Sequence, residues 1–175
     1  MTAIVALEAA DGVVWLGSDS WIGDGDTADR VSGPKVARIA GWVVGYAGTA
    51  GTAQAVLDAI EPTPQRGRAI DRWIRDTMRR AGKRALDDLP GDVEQLDVAF
   101  LVIAGGQVWS VDDRICVSRS AHGYAAIGAG AAVALGALHA TRRQRDPRRR
   151  VTAALHAAVA HAHGVAAPLH VEAIR

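Results

Sequence analysis

The order of the predicted elements constrains the fold of this chain more than any other sequence feature: strands, two helices, strands, two helices and a final strand. Apolar residues at helical spacing predict helices at about 53–60, 70–89, 131–141 and 151–161. Helices that follow each other in pairs do not fit a sheet in which strands and helices alternate. They fit two sheets stacked between two helical layers, so we predict an α+β fold.

Apolar, β-branched runs predict the strands, and glycine marks most of the turns between them. The predicted strands lie at 3–9, 13–18, 35–39, 42–47, 98–104, 107–111, 115–117, 124–127 and 169–174. Asp11-Gly12 is a strong hairpin signal between the first two strands. Residues 20–34 have a turn-like composition and predict a polar loop over one end of a sheet. Pro62 and Pro64 are expected to end the first helix, and Pro90-Gly91 the second.

The composition is typical of one compact domain, residues 1–175, in which a hydrophobic fraction of 49% is ample for a core. A net charge of +1 gives no overall preference for nucleic acid or acidic substrates. The single cysteine, Cys116, excludes an intrachain disulfide, and we expect a buried small hydrophobe there rather than a nucleophile. No basic segment followed by a long apolar run begins the chain. We therefore expect no secretory signal or membrane anchor, and a cytoplasmic location.

The first two residues carry a possible reaction centre. If Met1 is removed, Thr2 presents a hydroxyl and a free α-amine on one residue. An α-amine has an unperturbed pKa of about 7.7–8.0, so it can act as a base near neutral pH. Because Thr2 is followed by a predicted strand, that chain end would be held in a sheet. Many ordinary proteins also begin Met-Thr, so the pair alone indicates little.

Eight segments distributed along the chain resemble one known family. They are Thr2-Ala3-Ile4-Val5-Ala6-Leu7, Gly12-Val13-Val14, Gly17-Ser18-Asp19, Lys35-Val36, Gly45-Tyr46-Ala47-Gly48-Thr49-Ala50, Ala126-Ile127-Gly128-Ala129-Gly130, Ala134-Leu135 and Leu169-His170-Val171-Glu172. In this order they look like successive segments of the proteasome β-type subunits, and within that family they are most similar to HslV, the bacterial ATP-dependent protease subunit. The resemblance spans nearly the whole chain and is weakest from about 62 to 93.

The resemblance implies a four-layer αββα sandwich of the N-terminal nucleophile hydrolase type, and it assigns a role to four residues. Thr2 would be the nucleophile that attacks a peptide carbonyl, with its own freed amine as the base. Lys35 would lie beside it and lower the pKa of that amine, and Asp19 would pair with Lys35. The backbone N–H of Gly48 would supply the oxyanion hole. Stacked homo-oligomeric rings, an ATPase unfoldase partner and polypeptide substrates are implied in the same way.

Two departures from the family pattern concern proton transfer and leave the activity open. Ala129 stands where the family has a serine near the threonine amine, and its methyl group cannot relay a proton. The acidic residue of typical proteasome subunits would fall near Ala160 or His161, and no carboxylate is there. The alternatives are therefore a slower peptidase, a catalytically silent ring or scaffold subunit, or an amidohydrolase of the same fold that acts on small amides. A structural sodium ion, also a family feature, would lie near 159–165.

Other candidate residues have ordinary explanations as well as functional ones. Only two of the 20 basic residues are lysines, which favours a specific role for Lys35 over a solvated position at a strand start. Asp19 could instead cap a turn. The basic run Arg142–Arg150 could bind a ring partner or nucleic acid, but a solvated loop between helices is the expected reading. Four histidines, His156, His161, His163 and His170, do not share one helical face, so we expect no metal site.

Overall fold

The computed structural model describes residues 1–23, 27–62, 67, 69–88 and 95–175. The elements, in chain order, are β1 (Ile4–Glu8), β2 (Val14–Ser18), β3 (Trp21–Gly23), β4 (Ala28–Arg30), β5 (Val36–Ile39), β6 (Trp42–Gly48), α1 (Ala50–Asp58), α2 (Ile70–Asp88), β7 (Val98–Ala104), β8 (Gln107–Val111), β9 (Val117–Ser118), β10 (Tyr124–Ile127), α3 (Ala131–Ala140), α4 (Pro147–His161) and β11 (His170–Ile174). None of the described helices is both long and apolar enough to cross a membrane.

The larger strands form two antiparallel sheets. One sheet has the strand order β10-β1-β2-β11 and the other β5-β6-β7-β8-β9. In the first sheet, Ile4 pairs with Ser18 on one side and with Ile127 on the other, so β1 is an interior strand. An interior strand has neighbours for the hydrogen-bonding groups of both its edges, which holds the start of the chain in place.

Three apolar clusters divide the molecule into four layers. The first joins α1 and α2 to the five-stranded sheet, for example through Val56, Met78 and Phe100. The second joins α3 and α4 to the four-stranded sheet, and the third lies between the two sheets. Successive residues of a strand point to opposite faces, so Val5 belongs to the second cluster and Ile4 to the third. The predicted αββα sandwich is thereby confirmed.

Several predicted elements are confirmed, and four predictions about the chain are wrong in detail. The bounds of β7, β8 and β10 agree with the prediction, and the hairpin at Asp11-Gly12 is present. Residues 20–34 are not only a loop, because β3 and β4 pair with each other there. This ribbon was missed because all three residues of β4 are exposed and the strand therefore lacks an alternating apolar pattern.

The other three corrections concern a helix start, a strand start and the exposure of Cys116. The run Arg142–Arg150 is a loop only in part: Asp146 caps α4 by accepting the Arg149 N–H at 3.1 Å, so the last three arginines are helical. The predicted strand at 115–117 begins only at Val117, because Ile115 has a φ of 59°. Cys116 is exposed rather than buried.

Helix ends account for the remaining differences. The first helix ends at Asp58, before Pro62, although Ile60 is still buried against the core. We also predicted that Pro64 helps to end this helix, that the second helix extends to Leu89, and that Pro90-Gly91 ends it. These three predictions lie outside the described residues.

Candidate active site

The backbone at Thr2 and Ala3 is held by two hydrogen bonds. The carbonyl oxygen of Thr2 accepts the Gly130 N–H at 3.2 Å, and the N–H of Ala3 donates to Oδ1 of Asp19 at 3.0 Å. Thr2 is 6% exposed, at the entrance of strand β1. Its side chain therefore starts from a fixed position, which a nucleophile requires.

Lys35 contacts the Thr2 hydroxyl directly. Its Nζ lies 2.6 Å from Oγ1 of Thr2 and 2.8 Å from Oδ1 of Asp19, and its backbone N–H donates to Oγ of Ser18 at 3.3 Å. The side chain is 7% exposed. The interpretation of Lys35 as a solvated residue at a strand start is wrong, because it lies in an ion pair behind Thr2.

Asp19 connects three parts of the chain. It is fully buried. Oδ1 accepts from Lys35 and Ala3, and Oδ2 accepts the N–H groups of Trp21 at 3.0 Å and Ala166 at 3.2 Å. The bond to the Trp21 N–H caps a turn, so the interpretation of Asp19 as a turn cap is correct. Asp19 also forms the ion pair with Lys35. A carboxylate that accepts several N–H groups is fixed in orientation and can hold an ammonium group in place.

Burial sets the direction of the Lys35 pKa. Removal of the ammonium from water lowers the pKa of Lys35, while the hydrogen bond and the charge of Asp19 raise it by a smaller amount. The neutral form of the Lys35 side chain is consequently easier to form than the neutral form of a surface lysine. Nζ is in hydrogen-bond contact with Oγ1 of Thr2. Lys35 can therefore stabilise that oxygen as it loses its proton, or accept the proton itself.

A cavity of about 830 Å³ opens over this group of residues. Thr2 and Lys35 line it together with Gly48 and Ala129, and Trp21 from the β3–β4 ribbon forms part of its wall. The structure thus brings together three of the predicted site residues at the cavity surface, with Asp19 behind Lys35. Ala129 presents no polar side-chain atom to the cavity.

Glycine is required at Gly48 for a packing reason. Its φ is 138°, and a Cβ there would lie 2.2 Å from the carbonyl oxygen of Asp97. This close approach brings the end of β6 against the start of β7 while leaving the backbone of Gly48 exposed in the cavity. A backbone without a side chain can come close to a reacting group.

The turn Gly128-Ala129-Gly130 positions the chain start. Gly128 has a φ of 87°, and a Cβ there would lie 2.2 Å from the Thr2 carbonyl oxygen. At Gly130 an added Cβ would lie 2.8 Å from Cβ of Ala3. The two glycines therefore allow the turn to pack directly on the residues that carry the candidate nucleophile.

We expect Gly128→Ala to displace Thr2 and to lower stability. The substitution combines a clash with the Thr2 backbone and an unfavourable φ, so the loss in unfolding free energy should be about 2–3 kcal/mol. The measurement is a chemical denaturation midpoint. Gly136→Ala is the matched control, because nothing lies within 4 Å of its added Cβ inside α3, and it should not destabilise. Equal stability of the two variants would contradict the packing argument.

Two residues at this site, Ser18 and Asp97, were missed from the sequence. Ser18 accepts the Lys35 N–H, and its place next to Asp19 was an available signal. Asp97 was not predicted at all, although its carboxylate and carbonyl both contact Thr49. Nothing in the local sequence marks Asp97, because the contact joins residues 48 positions apart.

The remaining candidates do not form a second centre. In the described part of the chain, no group of three or more histidine, cysteine, aspartate or glutamate side chains could hold a metal ion. The stretch 159–165 has no side-chain oxygen, so only its backbone carbonyls could bind the sodium ion implied by the resemblance, and that ion stays a prediction. Within the basic run, Nη2 of Arg150 donates to the Leu138 carbonyl at 3.1 Å near the C-terminus of α3, which is a structural role.

Comparison with solved structures supports the architecture. BPH from Thiobacillus denitrificans in complex with epoxomicin matches with a TM-score of 0.83 and 18% identity, over 99% of this chain and 98% of that chain. A second structure of the same BPH gives a TM-score of 0.79 at 18% identity, over 99% and 97% of the two chains. Eukaryotic HslV from Trypanosoma brucei gives 0.78 at 21% identity, over 98% of both chains.

The chain has the fold of HslV. The match covers nearly all of both chains, so the HslV-like fold includes the two sheets and both helical layers. This confirms the architecture that the resemblance to proteasome β-type subunits implies. No protein-family model matches the chain, and no curated protein matches it significantly. At these identities the HslV likeness establishes the fold, and the chemistry has to be argued from the site.

Proposed function

We propose that this protein is a threonine-type endopeptidase that uses Thr2 as its nucleophile once Met1 has been removed. The observation that carries the proposal is the 2.6 Å contact between Nζ of Lys35 and Oγ1 of Thr2, at the surface of a cavity with Asp19 behind it. A buried lysine paired with a hydroxyl and a carboxylate is costly to form for stability alone. Its position beside a threonine that becomes N-terminal once Met1 is removed supports a catalytic role.

In the proposed reaction, hydrolysis of the Met1–Thr2 bond first frees the Thr2 amine. Oγ1 of Thr2 then attacks the substrate carbonyl, and its proton passes to the amine. The backbone N–H of Gly48 stabilises the negative oxygen that develops. The intermediate breaks down to an ester on Thr2, and the proton is transferred to the leaving amine. Water hydrolyses the ester and regenerates the hydroxyl.

Lys35 and Asp19 prepare Thr2 for this reaction. The Lys35 ammonium favours the neutral, basic form of the nearby amine, and its hydrogen bond to Oγ1 stabilises that oxygen as the proton leaves. Asp19 keeps Lys35 in position through its own fixed carboxylate. Asp19 is thus a positioning residue, whereas Lys35 contacts the reacting atom.

We expect the acylation rate and the stability to rise with pH. The acylation rate should rise as the freed Thr2 amine, a group with an ordinary pKa of about 7.7–8.0, loses its proton and becomes the base. The pKa of Lys35 is lower in the folded than in the unfolded state, so between these two values the unfolded state binds more protons and alkaline pH favours folding. Pre-steady-state kinetics between pH 6 and roughly pH 10 measure the acylation rate, and denaturation over the same range measures the stability. A rate that does not rise between pH 6 and about pH 8 would contradict the assignment of the Thr2 amine as the base.

The assembly belongs to the proposal as well. An HslV-like fold with an open cavity at Thr2 is compatible with homo-oligomeric stacked rings that admit polypeptide substrates, and an ATPase that unfolds proteins is the matching partner. Native mass spectrometry of the purified protein tests the ring. A monomer would favour the amidohydrolase alternative, because small amides need no enclosed chamber.

The decisive experiment is the intact mass of the purified protein before and after reaction with epoxomicin, the compound with which BPH was solved. A chain lighter by one methionine that gains one epoxomicin, localised to Thr2 by peptide mapping, supports the proposal. Met1 is 48% exposed and Thr2 is small, which favours removal of Met1. A processed chain that gains no label overturns the peptidase proposal.

A catalytically silent ring or scaffold subunit is the second candidate, and Ala129 favours it. Ala129 lines the cavity beside Thr2 and offers no group that could relay a proton to the amine. In this candidate Met1 is retained and blocks the amine. Its side chain packs on Gly164, which has a φ of 70° and no room for a Cβ next to Met1. Retention of Met1 in the intact mass would establish this candidate.

A further inference from the structure

We propose that Asp97 and Thr49 form a clamp that positions the Gly48 backbone for oxyanion binding. The inference deepens the proposed function and depends on it for its catalytic consequence. Asp97 precedes β7, and Thr49 follows β6 and precedes α1. Nothing in the mechanism above used either side chain, yet both line the cavity with Gly48 and Thr2.

The clamp consists of two hydrogen bonds between the same two residues. The Thr49 N–H donates to the Asp97 carbonyl oxygen at 3.1 Å, and the Thr49 hydroxyl donates to Oδ2 of Asp97 at 3.0 Å. The same Asp97 carbonyl oxygen occupies the space that a Cβ on Gly48 would need. Asp97 therefore contacts the Gly48-Thr49 segment from both its backbone and its side chain.

The backbone of Asp97 adopts a conformation that few side chains tolerate. Its φ is 46°, in the left-handed region where aspartate, asparagine and glycine are the usual residues. This conformation directs the Asp97 carbonyl toward the Thr49 N–H while its neighbour Val98 pairs with Gly48 in the sheet. Alanine at this position would keep the carbonyl but lose both the carboxylate and the preference for this φ.

The hydrogen bond of the Thr49 hydroxyl indicates that this side chain fixes the Gly48-Thr49 segment rather than caps helix α1. Thr49 occupies the N-cap of α1, where a threonine hydroxyl normally accepts an N–H of the first turn, but Thr49 makes no such bond. Its hydroxyl instead donates to Asp97. Helix α1 begins at Ala50, which lines the cavity next to Gly48, and the positive end of the helix reinforces the field there.

The expected effect lies in the reaction step rather than in binding. A looser clamp lets the Gly48 N–H rotate away from the developing oxyanion, while the rest of the cavity wall, including Trp21 and Tyr46, is unchanged. Loss of a single oxyanion-hole donor costs about 10²–10³ in rate. Misorientation of that donor should therefore cost at least roughly tenfold in kinact for epoxomicin, with KI within about twofold of the parent.

The test compares Asp97→Ala and Thr49→Val with Asp97→Asn, which keeps an acceptor oxygen and tolerates the same φ. We expect both disruptive variants to lose kinact, the double variant to lose no more than either single one, and Asp97→Asn to recover most of the rate. Asp58→Ala, at the other end of α1, is the control for general loosening of the helix. Unchanged kinact in Asp97→Ala, additive losses, or no recovery in Asp97→Asn would overturn the clamp.

Hydrogen exchange tests the clamp without any activity. In Asp97→Ala, exchange of the Thr49 amide should rise at least about tenfold, while the amides of β1 keep their protection. Unchanged exchange at Thr49 overturns the clamp even if the protein is an active peptidase. Conversely, a parent protein that epoxomicin never labels refutes the proposed function, and faster exchange at Thr49 would then still support the clamp.

Discussion

Thr2→Ala is expected to abolish peptide hydrolysis and epoxomicin labelling while the protein stays folded. Alanine removes Oγ1, the atom that Lys35 contacts, and leaves the backbone bonds of residues 2 and 3 in place. Loss of a covalent nucleophile lowers kcat by roughly 10⁴-fold or more. The measurement is hydrolysis of a casein substrate together with the denaturation midpoint, which should change little.

Thr2→Ser is the matched control for this variant. Serine keeps the hydroxyl and is small enough for Met1 to be removed, so it should retain labelling at a reduced rate. Intact masses of both variants establish that Met1 has been removed in each. Hydrolysis by Thr2→Ala at the parent rate would refute Thr2 as the nucleophile, and a second catalytic group would have to be sought.

Asp19→Ala is expected to be the most destabilising substitution at the site. It leaves the Lys35 ammonium buried without its partner and leaves the N–H groups of Ala3, Trp21 and Ala166 without an acceptor. Removal of one partner of a buried ion pair costs about 3–5 kcal/mol. Urea denaturation measures the loss, and labelling of Thr2 should fall with it because Lys35 is no longer held.

A surface pair provides the comparison for Asp19. Glu61 and Arg84 form an ion pair at 2.9 Å, but their side chains are 73% and 53% exposed. Glu61→Gln should therefore cost under about 1 kcal/mol. A loss in Asp19→Ala as small as that in Glu61→Gln would show that the buried carboxylate contributes little to stability. The ion pair with Lys35 would then be a functional feature only.

The sequence allowed the architecture and the four candidate site residues to be predicted from different kinds of signal. Apolar, β-branched runs and glycine turns located β7, β8 and β10, because strands that are buried on both faces are apolar along most of their length. The site residues came from resemblance, since neither Asp19 nor Gly48 differs locally from an ordinary turn residue. The β3–β4 ribbon and the start of α4 were missed or misplaced, because an exposed ribbon and an arginine-rich helix start resemble loops.

What the sequence by itself determined is the alternation of strands and helix pairs, and with it the two-sheet fold, because burial periodicity is a local property of the chain. Only the tertiary structure decided that Lys35 is buried against Thr2 and Asp19, and that Asp97 contacts Thr49. These contacts join residues that are 16, 33 and 48 positions apart, so no local pattern encodes them. They exist because the pairing of β1 with β2 and of β6 with β7 brings distant strand ends to one cavity.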